Sequence, residues 1–140
     1  MTVPAHLSVV TLGVGDLTVS TNFYEALGWQ RLSASSEDIS FFQLGPVVLG
    51  LFRRTELAAD ATVADDGSGF RGVTLAINLG APSAVDAAVA AWHAAGGAVV
   101  KAPEHVSWGG YSGYVADPDG HLWEIAHNPY SPQWAAPTTS

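Results

Sequence analysis

The sequence predicts an α+β fold built from two tandem βαβββ modules, whose strands form a curved, cup-shaped mixed sheet with the helices outside. Three observations carry that expectation. Apolar alternation of strand type recurs on both sides of a polar middle segment; each half opens with one strand followed by one amphipathic helix; and Val10-Thr-Leu is echoed by Val73-Thr-Leu at matching places in the two halves. A four-stranded sheet with one helix hides only one face, so two such units side by side are the natural solution.

The first module is read as about 6–54. Leu7–Val14 is rich in β-branched residues and predicts a strand. Asp16 suits a helix cap, Ser20, Phe23, Tyr24 and Leu27 fall on one helical face, and Gly28 offers a left-handed stop, which predicts a helix over 17–27. Strands are expected at Trp29–Ser33, Ile39–Leu44 and Val47–Arg53, the last two joined by a Gly45-Pro46 turn. Residues 55–70, with Asp65-Asp-Gly-Ser-Gly69, have no sustained period and read as a linker or lid.

The second module, about 71–128, begins with a strand at Val73–Leu79. Ser83 and Asp86 form a capping-box pattern for a helix whose apolar stripe is Val85, Ala88, Val89 and Trp92 and whose stop is Gly96-Gly97. Strands at Ala98–Lys101, Ser112–Ala116 and Leu122–His127 follow, with a turn at Asp117-Pro-Asp-Gly120. The tail, 129–140, with its prolines and Trp134, is expected to pack across the surface. One domain of 140 residues with 48% apolar content can build a core around these elements.

Composition narrows the function classes. With no cysteine, disulfide scaffolds, zinc–thiolate sites and thiol nucleophiles are all excluded. Thirteen Asp and Glu against five Lys and Arg give a formal charge of −8, a field that repels nucleic-acid phosphates and anionic membranes and tolerates a neutral or cationic small molecule. The opening residues carry no basic and apolar leader pattern, and a cytoplasmic protein is expected.

Two stretches are familiar. Leu12-Gly-Val-Gly-Asp-Leu17 followed by Phe23-Tyr-Glu-Ala-Leu-Gly-Trp29, and Trp108-Gly-Gly-Tyr-Ser-Gly-Tyr followed by Asp117-Pro-Asp-Gly-His-Leu-Trp-Glu124, resemble the opening and closing motifs of the vicinal-oxygen-chelate superfamily. That superfamily includes glyoxalase I, bleomycin-resistance proteins and extradiol dioxygenases, and the resemblance spans roughly 6–128. In its metal-dependent members, the first and last strands of each module contribute one ligand each. The resemblance places these slots on Val9, Gly50, Thr74 (Gly72 if the register slips) and Glu124. Valine and glycine have no side-chain donor, so no metal cofactor is expected.

Glu124 lies between Trp123 and Ile125, and alternation turns it to the opposite face. Three roles fit it: a structural carboxylate, a ligand-binding charge, or a general base. His6, His93, His105, His121 and His127 have no spacing that gathers them near Glu124, and surface positions are expected. The aromatic and glycine-rich run 104–114 suits either a rim closing over a flat ligand or a cap on the core. The site expected from these readings comprises Phe52, Asn78, Trp108, Tyr111, Tyr114 and Glu124, with extra room where Gly50 and Thr74 replace metal ligands.

Two functions follow from the resemblance. One is a metal-independent protein of the bleomycin-resistance type that sequesters a flat hydrophobic or cationic ligand such as an antibiotic. The other is a lyase or oxygenase with an atypical metal site or with Glu124 as base. A homodimer is expected, since open sheet edges favour pairing and the resemblance implies it.

Overall fold

A computed structural model describes residues 2–137. The chain divides into two compact units, one up to Gly67 and one from Ser68 onward.

In the first unit, β1 (Val9–Val14), β2 (Ile39–Leu44) and β3 (Val47–Arg53) form a mixed sheet in the order β1-β3-β2, with β1 parallel and β2 antiparallel to β3. Helix α1 (Leu17–Ala26) starts as its sequence predicts: the Asp16 carboxylate accepts from Val19 N–H at 3.0 Å, and Gly28 beyond the helix takes φ +93°. The helix packs on β2 and β3. Tyr24 is fully buried there, stacked on Trp29 at 5.3 Å and edge-on to Phe23 at 5.0 Å, with Phe42 at 6.1 Å. Because Phe42 pairs with Leu49, the helix-facing side of β3 carries Leu49 and Leu51, leaving Gly50 and Phe52 on the other side.

Two expectations for this unit are corrected. The strand anticipated at Trp29–Ser33 reduces to a single Arg31–Phe42 bridge, so the sheet has three strands among the described residues. Serine side chains account for this: Ser35 Oγ accepts from Phe41 N–H at 2.9 Å and Ser36 Oγ from Asp38 N–H at 3.1 Å, taking backbone donors for a local turn. Arg31 secures the turn through Ser36 O and through Ser40 Oγ at 3.2 Å. The segment read as linker begins with helix α2 (Arg54–Asp60), whose seven residues are too few to establish a period. Arg54 then holds the following loop by an ion pair with Asp65 at 2.5 Å and a bond to Gly67 O at 3.2 Å.

In the second unit, β4 (Leu75–Asn78), β5 (Ala98–His105), β6 (Tyr111–Ala116) and β7 (Leu122–His127) run in the order β4-β7-β6-β5; β4 is parallel to β7 and the other pairs are antiparallel. β4 is shorter than its apolar pattern suggested. β5 runs farther, through Pro103, because it is an edge strand with register shifts on either side of Lys101. Helix α3 (Pro82–Ala94) covers one face, with Val85, Val89 and Trp92 buried against Val115, Trp123 and Ile125. Its start also differs from the expected capping box. Pro82 occupies the first helical position after Ala81, where its fixed φ suits a helix start, and no side chain caps it.

Trp92 locks the helix to the sheet. Its indole N–H donates to Ala116 O at 2.8 Å, and its ring lies 5.7 Å from that of Trp123. Gly97 has to be glycine here, because a Cβ would stand 2.3 Å from Trp92 Cδ1 and 2.8 Å from Ala116 O. Gly97→Ala is therefore expected to destabilise the protein by about 1–3 kcal/mol, to be read from urea unfolding; an unchanged midpoint would contradict this packing.

Candidate functional site

The helix on one face of the second sheet determines what the other face presents. Trp123 and Ile125 of β7 are committed to α3, so Glu124 and Ala126 point away from it. Glu124 pairs with Ala76 on one side and Tyr114 on the other; Ala126 pairs with Asn78 and Ser112. Those rows line a cavity of about 340 Å³ bounded by Ala76, Asn78, Trp108, Glu124, Ala126, Asn128 and Trp134, all within the second unit. The volume is at the lower end of the range of small-molecule sites, about 300–1,000 Å³.

The floor of this cavity is small and its walls are polar or aromatic. Ala76 puts only a methyl beside Glu124, which leaves space along the sheet. No side chain among the described residues donates a hydrogen bond to the Glu124 carboxylate or pairs with it in a salt bridge. Asn78 uses its backbone carbonyl to hold Ala136 N–H at 2.8 Å. Asn128 Oδ1 accepts from Tyr130 N–H at 2.9 Å. The Trp108 ring, 46% exposed, folds over Gly110, where a Cβ would come within 1.9 Å of its Cη2.

Three of the six residues expected at the site, Asn78, Trp108 and Glu124, are thus brought together. Tyr114 lies on the same face directly across from Glu124 without bounding the cavity. Tyr111 is turned the other way. Being one residue out of phase with Tyr114, it faces α3, and its Oη donates to Asp86 Oδ1 at 2.7 Å; that hydrogen bond, followed by burial and the carboxylate's charge, holds the phenol above its ordinary value of 10.0. Its ring lies 4.9 Å from that of His105. Phe52 shares a face with Gly50 in the first unit, as parity predicts, and is not in the cavity lining.

The room expected at Gly50 is narrowed by its cross-strand neighbours. A Cβ there would stand 3.1 Å from Thr11 Oγ1 and 3.4 Å from Phe41 Cε1. Space beside Glu124 comes instead from Ala76 and Ala126. Asn128 and Trp134 were not anticipated, since strand parity does not extend into an irregular tail. A tryptophan in a proline-bounded polar segment was the available signal, because so large an apolar ring favours a surface to cover.

The sequence matches the family model of the Glyoxalase/Bleomycin resistance protein/Dioxygenase superfamily over residues 6–125. The chain belongs to that superfamily. Among solved structures it is similar to a glyoxalase-related enzyme from Fulvimarina pelagi, at 38% identity and TM-score 0.82 with 90% of each chain covered. It is similar also to a glyoxalase/bleomycin resistance protein/dioxygenase family enzyme from Burkholderia phytofirmans PsJN, at 25% identity and TM-score 0.79 over 88% of this chain and 98% of that one. Likeness to lactoylglutathione lyase from Agrobacterium tumefaciens, at 22% identity and TM-score 0.68 over 91% of this chain and 96% of that one, concerns the fold alone. No curated protein matches the sequence. Among the described residues no helix is long and apolar enough to cross a membrane.

The metal used by the superfamily's metal-dependent members does not fit the residues in its slots. Val9 and Gly50 present an isopropyl group and a bare Cα, Thr74 precedes β4 as an exposed hydroxyl, and Glu124 is the one strong donor of the four. Among the described residues, no three His, Cys, Asp or Glu side chains cluster as a metal site would require. Purified protein is therefore expected to hold no stoichiometric transition metal and to show no rise in melting temperature with nickel, zinc or iron. Elemental analysis checks this; near-stoichiometric metal that disappears in Glu124→Gln would overturn it.

Proposed function

We propose that this protein binds a small molecule without metal, in the manner of a bleomycin-resistance protein, sequestering a flat hydrophobic or cationic ligand, of which an antibiotic is one example, in the cavity over Glu124. The observation that carries this reading is the Glu124 carboxylate itself, which has no side-chain partner among the described residues and stands in a cavity with indoles and carboxamides on its walls. A carboxylate in such a place is available to a ligand's positive or hydrogen-bond-donating group, and Trp108 supplies area for stacking. The formal charge of −8 favours approach of a cation.

The similarity to a glyoxalase-related enzyme favours a second reading, in which the same cavity is catalytic. The donor set argues against a metal mechanism, so the group left to act is Glu124, as a base removing a proton from a substrate held against Asn78 and Trp108. Turnover of a bound compound separates this reading from sequestration.

Thermal-shift screening against hydrophobic and cationic natural products tests the binding reading, because a ligand at about 100 times its dissociation constant adds about 2.7 kcal/mol of stability. With a compound so found, Trp108→Ala is expected to weaken binding by roughly 1–3 kcal/mol through lost stacking area. Glu124→Gln is expected to weaken cationic compounds selectively. Unchanged affinity in both variants, with the fold intact, would remove the ligand from this cavity.

A further inference from the structure

The family model ends at residue 125, yet part of the cavity wall, Asn128 and Trp134, comes from chain beyond it. This segment is held at two points. Ala136 N–H donates to Asn78 O at 2.8 Å, tying the tail to edge strand β4. Earlier in the tail, Tyr130 lies so close to the rim loop that a Cβ on Gly109 would stand 2.7 Å from its Oη. Trp134 falls between the two anchors, at the end of a short 3₁₀ turn, Pro132–Trp134, with its N–H bonded to Ser131 O at 3.0 Å. The tail thus places an indole at the cavity while leaving it 66% exposed.

Neither Trp108 nor Trp134 makes a ring contact with another aromatic residue among the described ones. Two indole surfaces and one carboxylate therefore bound the same small space. An indole face attracts positive charge through its quadrupole and stacks best on a flat ring. A compact ammonium ion would meet the charge and waste the stacking area; a neutral ring would stack and leave the carboxylate unmatched; an anion would be repelled. From this we infer that the tail's Trp134 is a specificity-determining residue, a second aromatic wall that selects a planar aromatic cation. The inference rests on the small-molecule reading of the cavity given above.

Calorimetric titration of the 140-residue chain tests it, with N-methylquinolinium as probe and neutral quinoline, tetramethylammonium and 2-naphthoate as comparisons. N-methylquinolinium is expected to bind tighter than the other three. Trp134→Ala is expected to weaken it about five- to tenfold, and Trp134→Phe to retain most of the affinity. Ala136→Pro removes the anchoring N–H without touching the wall, and is expected to weaken the probe to a similar extent. Full affinity in Trp134→Ala and Ala136→Pro, alongside a loss in Trp108→Ala, would overturn the role of the tail while leaving the small-molecule reading in place. Failure of N-methylquinolinium to outbind quinoline and tetramethylammonium would overturn the ligand class, and the small-molecule reading would fall with it only if the thermal-shift screen also found no ligand.

Discussion

Trp92 fixes helix α3 to the second sheet through a hydrogen bond to Ala116 O at 2.8 Å and a tilted contact with Trp123 at 5.7 Å, and the rest of the site follows from that attachment. Once Trp123 and Ile125 are buried beneath the helix, the period of two along β7 leaves Glu124 no choice of side. A one-residue slip would bury the carboxylate against α3 and expose Trp123. The cost of that exchange, a large ring lost to water and an unpaired charge in the core, is what holds the register.

The two faces of the sheet are consequently opposite in character. Under α3 the packing is dense enough that Gly97 has no space for a methyl group. On the other face, Ala76 and Ala126 keep the floor low, and polar or aromatic groups stand around it. The tail then adds a wall that neither the sheet nor the helix provides, since β4 is an edge strand of its sheet and its Asn78 O takes the tail's Ala136 N–H. Edge protection and cavity building are here one contact.

Most of the fold could be read from alternation and punctuation. The Asp16 cap, the Gly28 stop and β2 and β3 with their Gly45-Pro46 turn all depend on local chemistry, and local chemistry is visible in the letters. The structure departs from the local signal where side chains or neighbours compete with it. Ser35 Oγ takes the Phe41 N–H that lies beside the Arg31–Phe42 bridge, and Pro82 sets the start of α3 ahead of the Ser83 pattern. Parity puts Asn78 and Glu124 on the cavity face, and the same rule applied to Tyr111 sends it to the helix face, where Asp86 receives it. At Gly50 the cross-strand neighbours Thr11 and Phe41 leave less room than the missing side chain suggests, and Trp134 reaches the cavity through tertiary contacts that strand parity does not describe.

The proposed binding face is the side of the second sheet away from α3. Each tryptophan contributes one indole N–H resonance, and the five divide by position: Trp92 and Trp123 are buried under α3, Trp29 stacks on Tyr24 in the first unit, and Trp108 and Trp134 line the cavity. Nitrogen–proton correlation spectra recorded during titration with a compound from the thermal-shift screen, with the peaks assigned by single substitution, read that division directly. Concentration-dependent shifts of the Trp108 and Trp134 indole signals are expected, while those of Trp29 and Trp92 stay in place. Saturable binding that leaves Trp108 and Trp134 unmoved would contradict this binding face.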